Sequence, residues 1–354
     1  MRTIAPQQLV HHRIPKGALC LSIYANSIDD LKLKLRQCRT KAAAERGQPK
    51  VEQLFRPVRK LIAGLENEPV EFPMGVFVTQ GLSCKMKMPI EVQSLGVLAE
   101  SFHVKPLLKW MQREHPFSLL LLEETKATLY QGTLSTFKEE EVVTYKELRT
   151  MDGIFGALDR AIYRTIQSTR TPLILAGDSD LADHYRNVSG YKAIVEDFVP
   201  HSSGQANLKA LHEAAKELLE PYLERKEEAL LSQFRSAELN GRTAGSLQEI
   251  ILFSLKQKVK HLFVSEGMNI WGKIDIGSGC FTYSPQQPNA SEDDVLDDLA
   301  EIVIRGGGTV TVLPGEKMPY GHLACAILQG VDPASRFQRQ KINSYDHDET
   351  YRAS

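Results

Sequence analysis

The sequence lacks most of the features that place a chain at sight. Its five cysteines (Cys20, Cys38, Cys84, Cys280, Cys325) are scattered with no C-x-x-C spacing, so they read as reduced cytosolic thiols and exclude a disulfide framework or a cysteine zinc site. No apolar run approaches the ~20 residues needed to cross a bilayer. The longest, Phe117–Leu122, is only strand-length, and the polar residues after Met1 do not form a signal-peptide core. There is no G-x-x-x-x-G-K-[ST], no G-x-G-x-x-G after a strand, no H-E-x-x-H and no G-x-S-x-G. This leaves no sequence ground for phosphate-loop, dinucleotide, zinc-protease or serine-hydrolase chemistry. At 42% hydrophobic and 25% charged residues, the composition excludes collagen-like, coiled-coil and wholly disordered chains.

Charge of one sign is also missing overall. The 43 Lys and Arg face 44 Asp and Glu, a formal net charge of −1. The balance is not even along the chain. Residues 1–114 carry 18 basic and 10 acidic residues, 115–235 carry 14 and 19, and 236–354 carry 11 and 15. The nets are therefore +8, −5 and −4. Between Lys32 and Lys60 there are ten Lys and Arg, opposed only by Glu45 and Glu52. Such clustering is the footprint of a phosphate-backbone partner, and its plain alternative is a solvated helix face. Lys32, Arg36, Arg39, Lys41, Arg56 and Lys60 are the candidate RNA-binding residues.

At 354 residues the chain is long enough for two or three domains. In the first segment, 18–25 reads as a buried strand. A helix then runs to about Arg46, with Leu31, Leu35, Cys38 and Ala42 on one face. A second helix over 51–65 and strands over 75–80 and 83–88 follow. A fresh unit opens at Phe117 with a hairpin. It continues through a helix at 154–169, strands at 172–176 and 193–198, and a long charged helix at 207–234 interrupted at Pro221. The last unit alternates a helix at 246–257, a strand at 261–265, a hairpin at 272–284, an acidic helix at 292–305 and a strand at 309–313, the pattern of a small three-layer sandwich. Domain cuts fall at 114/115 and 235/236, and 331–354 reads as a loose polar tail.

Three groups offer chemistry. Glu123, Glu124, Asp178, Asp180 and Asp183 fall at strand ends, where paired metal ions are held, although Asp-Ser-Asp is also an ordinary helix cap. Ser202-Ser203-Gly204-Gln205 resembles a Gly-Gly-Gln loop or is a plain N-cap loop. The acidic stretch Glu292–Asp298 offers a face to a basic protein partner. His103, in an apolar stretch, reads as a structural histidine.

Several phrases resemble the bacterial archaeo-eukaryotic release factor family, bacterial relatives of the class-one peptide-chain release factors. They are Ala18–Tyr24 with the basic helix after it, Phe102-His103-Val104-Lys105-Pro106-Leu107-Leu108, Leu218-Leu219-Glu220-Pro221-Tyr222, Gly241-Arg242-Thr243-Ala244 with Leu262–Glu266, and Arg305-Gly306-Gly307-Gly308 with Val310–Pro314. The resemblance spans about residues 10–330. It implies a mixed α/β (α+β) chain of three domains: an N-terminal α/β domain (1–114), a ribonuclease-H-like middle domain (115–235), and a C-terminal α/β/α sandwich (236–330) like the kink-turn-binding ribosomal proteins. It also implies association with the ribosome or translation machinery; the basic first segment points to rRNA or tRNA phosphates as partner, and the unpaired cysteines to a cytoplasmic protein.

Two departures bear on activity. The family's Gly-Gly-Gln loop would fall around Thr144–Gly153, where no Gly-Gly-Gln exists. Ser203-Gly204-Gln205 instead follows the Leu173–Gly177 strand. The first domain also has no Asn-Ile-Lys-Ser. The expectation is therefore a translation or ribosome-rescue factor without peptidyl-tRNA hydrolysis, with no catalytic residue, metal, cofactor or membrane partner assigned. The alternatives are a metal-dependent phosphodiester hydrolase built on the middle-domain carboxylates and a protein-interaction module.

Overall fold

Short apolar strands alternating with amphipathic helices dictate a mixed α/β architecture. The computed structural model has that architecture over residues 2–3, 5–12, 14–15, 17–46, 48–65, 71–89, 91–144, 150–169, 171–201, 207–284 and 293–330, which it describes. Its sheets have five, five, four and three strands among these residues. Residues 1–111 with 231–354 form one unit, and 112–230 form the other.

The first unit begins with β1 (Arg2–Thr3), α1 (Pro6–Val10), β2 (Cys20–Ala25), α2 (Ile28–Arg46), α3 (Gln48–Leu65), β3 (Met74–Thr79), β4 (Leu82–Lys87), β5 (Leu95–Ala99) and α4 (Lys105–Arg113). The sheet order is β1-β4-β3-β2-β5, antiparallel except for the β1–β4 pair. Successive strand side chains face opposite ways, and β2 uses both faces. Leu21, Ile23 and Ala25 pack under α2 and α3 with Leu31, Leu35, Cys38, Ala42, Phe55 and Val58. Cys20 and Tyr24 join Phe77, Phe102, Val104 and Leu107 on the other face. The four apolar positions of α2 read from the sequence are all buried. Helix α2 lies directly on β5: a Cβ added at Gly96 would stand 2.8 Å from Cys38 Sγ and 3.2 Å from Lys34 Cβ. Strand β5 itself has too little polar alternation to stand out in the sequence.

The second unit contains β6 (Phe117–Leu122), β7 (Lys126–Gly132), β8 (Phe137–Thr144), α5 (Met151–Thr169), β9 (Leu173–Gly177), α6 (Ser179–Val188), β10 (Ile194–Pro200) and most of α7 (Leu208–Leu239). The order β10-β9-β6-β7-β8 has the first three strands antiparallel in series, with β9 and β10 added parallel beside β6. This is the ribonuclease-H-like arrangement. One sheet face takes α5 and α6 through Phe155, Leu158, Ile162, Ala182 and Tyr185. The other takes α7 through Leu211, Ala215 and Leu219.

Helix α7 runs unbroken through Pro221, where the sequence predicts an interruption. A mid-helix proline removes one ladder hydrogen bond and costs roughly 3 kcal/mol. Buried Leu211 and Leu219, each contributing about 1.5–3 kcal/mol, together with Ala215 and the partly buried Tyr222 and Leu223 hold the helix on the sheet from both sides of it.

The first unit resumes with the end of α7, then β11 (Thr243–Ala244), α8 (Leu247–Leu255), β12 (Val259–Ser265), β13 (Trp271–Ile274), β14 (Phe281–Ser284), β15 (Asp293–Asp294), α9 (Val295–Arg305), β16 (Thr309–Leu313) and β17 (Ala324–Leu328). The main sheet is β11-β17-β12-β16, and β14-β13-β15 forms a small second one. Helices α8 and α9 cover Leu262, Val264 and Val312. On the other face Phe263 meets Phe234 of α7 edge-to-face at 5.9 Å. The result is a three-layer α/β/α sandwich. The expected tail, 331–354, lies outside the described residues.

Gly177 closes β9 at φ +137°, and a Cβ there would sit 2.5 Å from the Leu122 carbonyl oxygen on β6. Gly177→Ala is expected to destabilise the chain by about 1–3 kcal/mol. Urea unfolding against the control Gly190→Ala, whose added Cβ meets only an ordinary 3.8 Å contact, measures the difference.

Candidate nucleic-acid interface

The basic cluster sits on α2 and α3, which pack on each other and on one face of the N-terminal sheet. Arg36, Arg39, Lys41, Arg56 and Lys60 are exposed and Lys32 is half-buried. The side chains of Arg46 and Lys50 lie outside the described residues. Lys32, Arg36 and Arg39, at i, i+4 and i+7, form one stripe beside the buried face of α2. Arg39 reaches Glu52 on α3 at 2.7 Å, and Arg59 binds the same carboxylate. Desolvation, the largest single influence, pushes the Glu52 carboxyl up. The hydrogen bonds and charges of Arg59 and Arg39 outweigh it, so its pKa lies below the ordinary value.

This bridge sets the Lys32/Arg36/Arg39 stripe beside the Glu52/Arg56/Arg59/Lys60 side of α3. Lys41 falls two turns after Lys34, on the other flank of α2, nearer β5. The structure thus gathers five of the six predicted residues on one side of the helical pair and sets Lys41 apart.

Three of the five strand-end carboxylates have local roles. Asp178 is the N-cap of α6, accepting from the Asp180 N–H at 2.9 Å. Asp183 pairs with Arg186 at 2.6 Å and Glu123 with Lys126 at 3.1 Å. Among the described residues no three His, Cys, Asp or Glu side chains come close enough together to hold a metal ion. The Ser202–Gln205 segment lies outside the described residues, as do residues 145–149 of the stretch where the family's loop would fall.

The acidic helix faces its own chain. Asp293, Asp294 and Asp297 are 5%, 0% and 1% exposed, packed against residues 101–105. Asp297 accepts from the N–H of Val104 (2.9 Å to both oxygens) and of Lys105 (2.6 Å), so it caps α4 from the first turn of α9. Lys105 Nζ donates to Asp294 Oδ2 (2.6 Å), the Met268 carbonyl (2.5 Å) and Asn269 Oδ1 (3.0 Å). Asp294 Oδ1 in turn caps α9, accepting from Leu296 N–H at 3.1 Å and from Ile270 N–H at 3.0 Å.

The His103 backbone is tied to β2: its N–H donates to Ser22 Oγ at 3.0 Å, and its carbonyl accepts from Tyr24 at 2.7 Å. The His103 ring is buried, its Nδ1 3.6 Å from Asp297 Oδ1 and without a hydrogen-bond partner. Burial, with Lys105 nearby, brings its pKa down to about 4 against the pull of Asp294 and Asp293, so it is a neutral structural histidine. Burial and the charge of Asp297 push Asp293 up to about 7, and burial and the charge of Asp294 push Asp297 up to about 8. The Phe102–Leu108 phrase and the acidic stretch both stand out in the sequence. Nothing in their spacing shows that they meet across ~190 residues of chain.

Residues 147–255 match the model of bacterial archaeo-eukaryotic release factor family 3, which shows the resemblance over the helices and strands from α5 to α8. No curated protein matches the chain in sequence. Among solved structures, the archaeal translation termination factor aRF1 is 14% identical, with 92% of this chain and 99% of that one covered and a TM-score of 0.27. Saccharomyces cerevisiae Dom34, a translation termination-like factor involved in RNA quality control pathways and interacting with Hbs1, is 15% identical over 70% and 72%, at 0.42. Archaeal Pelota, in a ribosome-bound assembly with ABCE1, is 13% identical over 93% and 95%, at 0.44. Superpositions this loose carry no functional weight. No helix among the described residues is long and apolar enough to cross a membrane.

Lys105→Met is expected to leave Asp294 buried without its cation and to destabilise the chain by about 3–5 kcal/mol. Adding Asp294→Asn removes the uncompensated charge and restores most of that loss. Urea unfolding of the two variants checks the pair, and equal losses in both would contradict this account.

Proposed function

We propose that the chain is a release-factor-like protein of translation or ribosome rescue that associates with the ribosome or its RNA and does not hydrolyse peptidyl-tRNA through a Gly-Gly-Gln loop. The observation that carries this reading is the release-factor family match over residues 147–255. The exposed cations of α2 and α3 support it, because a polyanion partner needs several Lys and Arg on one surface.

In this reading the chain works as three domains, 1–114, 115–235 and 236–330. The first contacts rRNA or tRNA phosphates through Lys32, Arg36, Arg39, Lys41, Arg56 and Lys60. The middle domain serves as a shaped body rather than a hydrolase, since no Gly-Gly-Gln stands at Thr144–Gly153. Asp178 is engaged in capping α6 and does not favour the phosphodiesterase alternative.

Co-sedimentation with ribosomes across a salt series tests the reading. Binding is expected to fall with rising salt. Each neutralised contact, for example Arg36→Gln, Arg56→Gln or Lys60→Gln, is expected to flatten the log–log slope by about one unit. Absent binding, or binding independent of salt, would sink the proposal.

A further inference from the structure

We propose that the paired cationic rows of α2 and α3 take double-helical RNA by its two phosphate backbones, without reading its bases; this rests on the RNA-associated reading above and names the form of RNA that the surface fits. Lys32, Arg36 and Arg39 form the first row, about 10 Å long at the helical rise of ~1.5 Å per residue. Arg56, Arg59 and Lys60 form the second, on the side of α3 that the Glu52 bridge ties to the first. Packed helices stand about 8–10 Å apart, so the rows run side by side. Beyond the first turn of α2, which carries Asp29 and Asp30, Glu52 is the one carboxylate among the described side chains of the two helices. Among the described residues, Lys32, Arg36, Arg56 and Lys60 have no ion-pair partner. Pairing two strands roughly doubles the charge per length of nucleic acid. Two adjacent rows can face two backbones at once, whereas a lone strand supplies phosphates for one row.

The surface offers nothing on which to hold a base. Proteins that take single-stranded RNA stack its splayed bases on aromatic rings, whereas A-form duplexes are recognised by shape and by contacts to phosphates and 2′-hydroxyls. The one aromatic side chain of α2 and α3, Phe55, is fully buried under the helices. The broad groove beside α3, lined by Gln53, Leu54, Pro57, Thr79, Gln80 and Leu82, has no aromatic ring either. The exposed Tyr163, Tyr283 and Tyr320 lie in other segments of the chain.

The rows are also set before RNA arrives. Leu31, Leu35, Cys38, Phe55 and Val58 hold both helices on the sheet. Glu52 accepts one hydrogen bond from Arg39 and one from Arg59, which holds the two guanidiniums side by side. A guanidinium has five N–H donors, so each keeps others for a phosphate. Fixed rows suit a stiff duplex, while a flexible strand would have to be ordered on them at an entropic cost.

Binding of the full chain to RNA probes across a salt series tests the inference. The probes are two duplexes of about 16 base pairs with unrelated sequences, and an unstructured single strand of the same nucleotide number. The duplexes are expected to bind alike, about tenfold or more tighter than the single strand at the same salt, and with the steeper log–log slope. Arg36→Gln combined with Arg56→Gln, one change in each row, is expected to flatten the duplex slope by about two units. A single strand bound as tightly as the duplexes, or two duplexes that differ by more than about tenfold, would overturn the inference. Its failure is distinct from failure of the RNA-associated reading. Salt-dependent co-sedimentation with ribosomes, without any preference for duplex, removes the inference alone. Absent binding to ribosomes and to every probe removes both. The wild-type comparison of duplex with single strand needs no variant to fold.

Discussion

The structure of the larger unit depends on two carboxylates buried at the start of one helix, Asp294 and Asp297. Asp294 caps its own helix and holds Lys105, and Asp297 caps the helix that begins at Lys105. Helix N-termini leave backbone N–H groups without intrahelical partners and carry partial positive charge, so each buried acid satisfies donors that no water reaches. Because the groups come from chain segments ~190 residues apart, the same few hydrogen bonds fix how the N-terminal sheet and the C-terminal sandwich meet. A buried ion pair adds little net stability, but a displaced register would leave charges unpaired in the core. The arrangement therefore acts mainly on specificity: it permits one docking and penalises its neighbours.

Much of the fold is legible in the sequence because it rests on local periodicity. Leu31, Leu35, Cys38 and Ala42 mark the inner face of α2, and the apolar run Phe117–Leu122 marks a strand buried on both faces. Failures come where tertiary contact overrides local preference. Pro221 reads as a helix break, and packing on both sides carries the helix through it. Strands β5 and β17 escape notice because their short apolar segments have no polar alternation and gain their partners only from distant strands, β2 for β5, and β11 and β12 for β17.

The candidate site is legible by composition and not by geometry. Ten cations in 29 residues signal a polyanion surface, yet only the Arg39–Glu52–Arg59 bridge shows which stripes of α2 and α3 are adjacent. The acidic stretch misleads for the converse reason. A run with four Asp in seven residues reads as a face offered to a basic protein partner, because a sequence window cannot show that Val104, Lys105 and Ser101 lie against it. His103 reads correctly as structural, since an isolated histidine among apolar neighbours has no sequence partner to make it a ligand or a base.

These placements change what the charge totals mean. The negative last third of the chain would be expected to offset the positive first third. Asp293, Asp294 and Asp297 are buried, however, and are held by backbone N–H groups, Lys105 and Ser101. They lie against the face of the N-terminal sheet that carries Cys20 and Tyr24, whereas α2 and α3 cover the face that carries Leu21, Ile23 and Ala25. Charges separated by more than about 8–10 Å across solvent are largely screened at physiological salt. Among the described side chains between Lys32 and Lys60, the cations of α2 and α3 are thus opposed by Glu52, which Arg39 and Arg59 share. A field of that kind attracts a polyanion to one side of the molecule although the whole chain is nearly neutral.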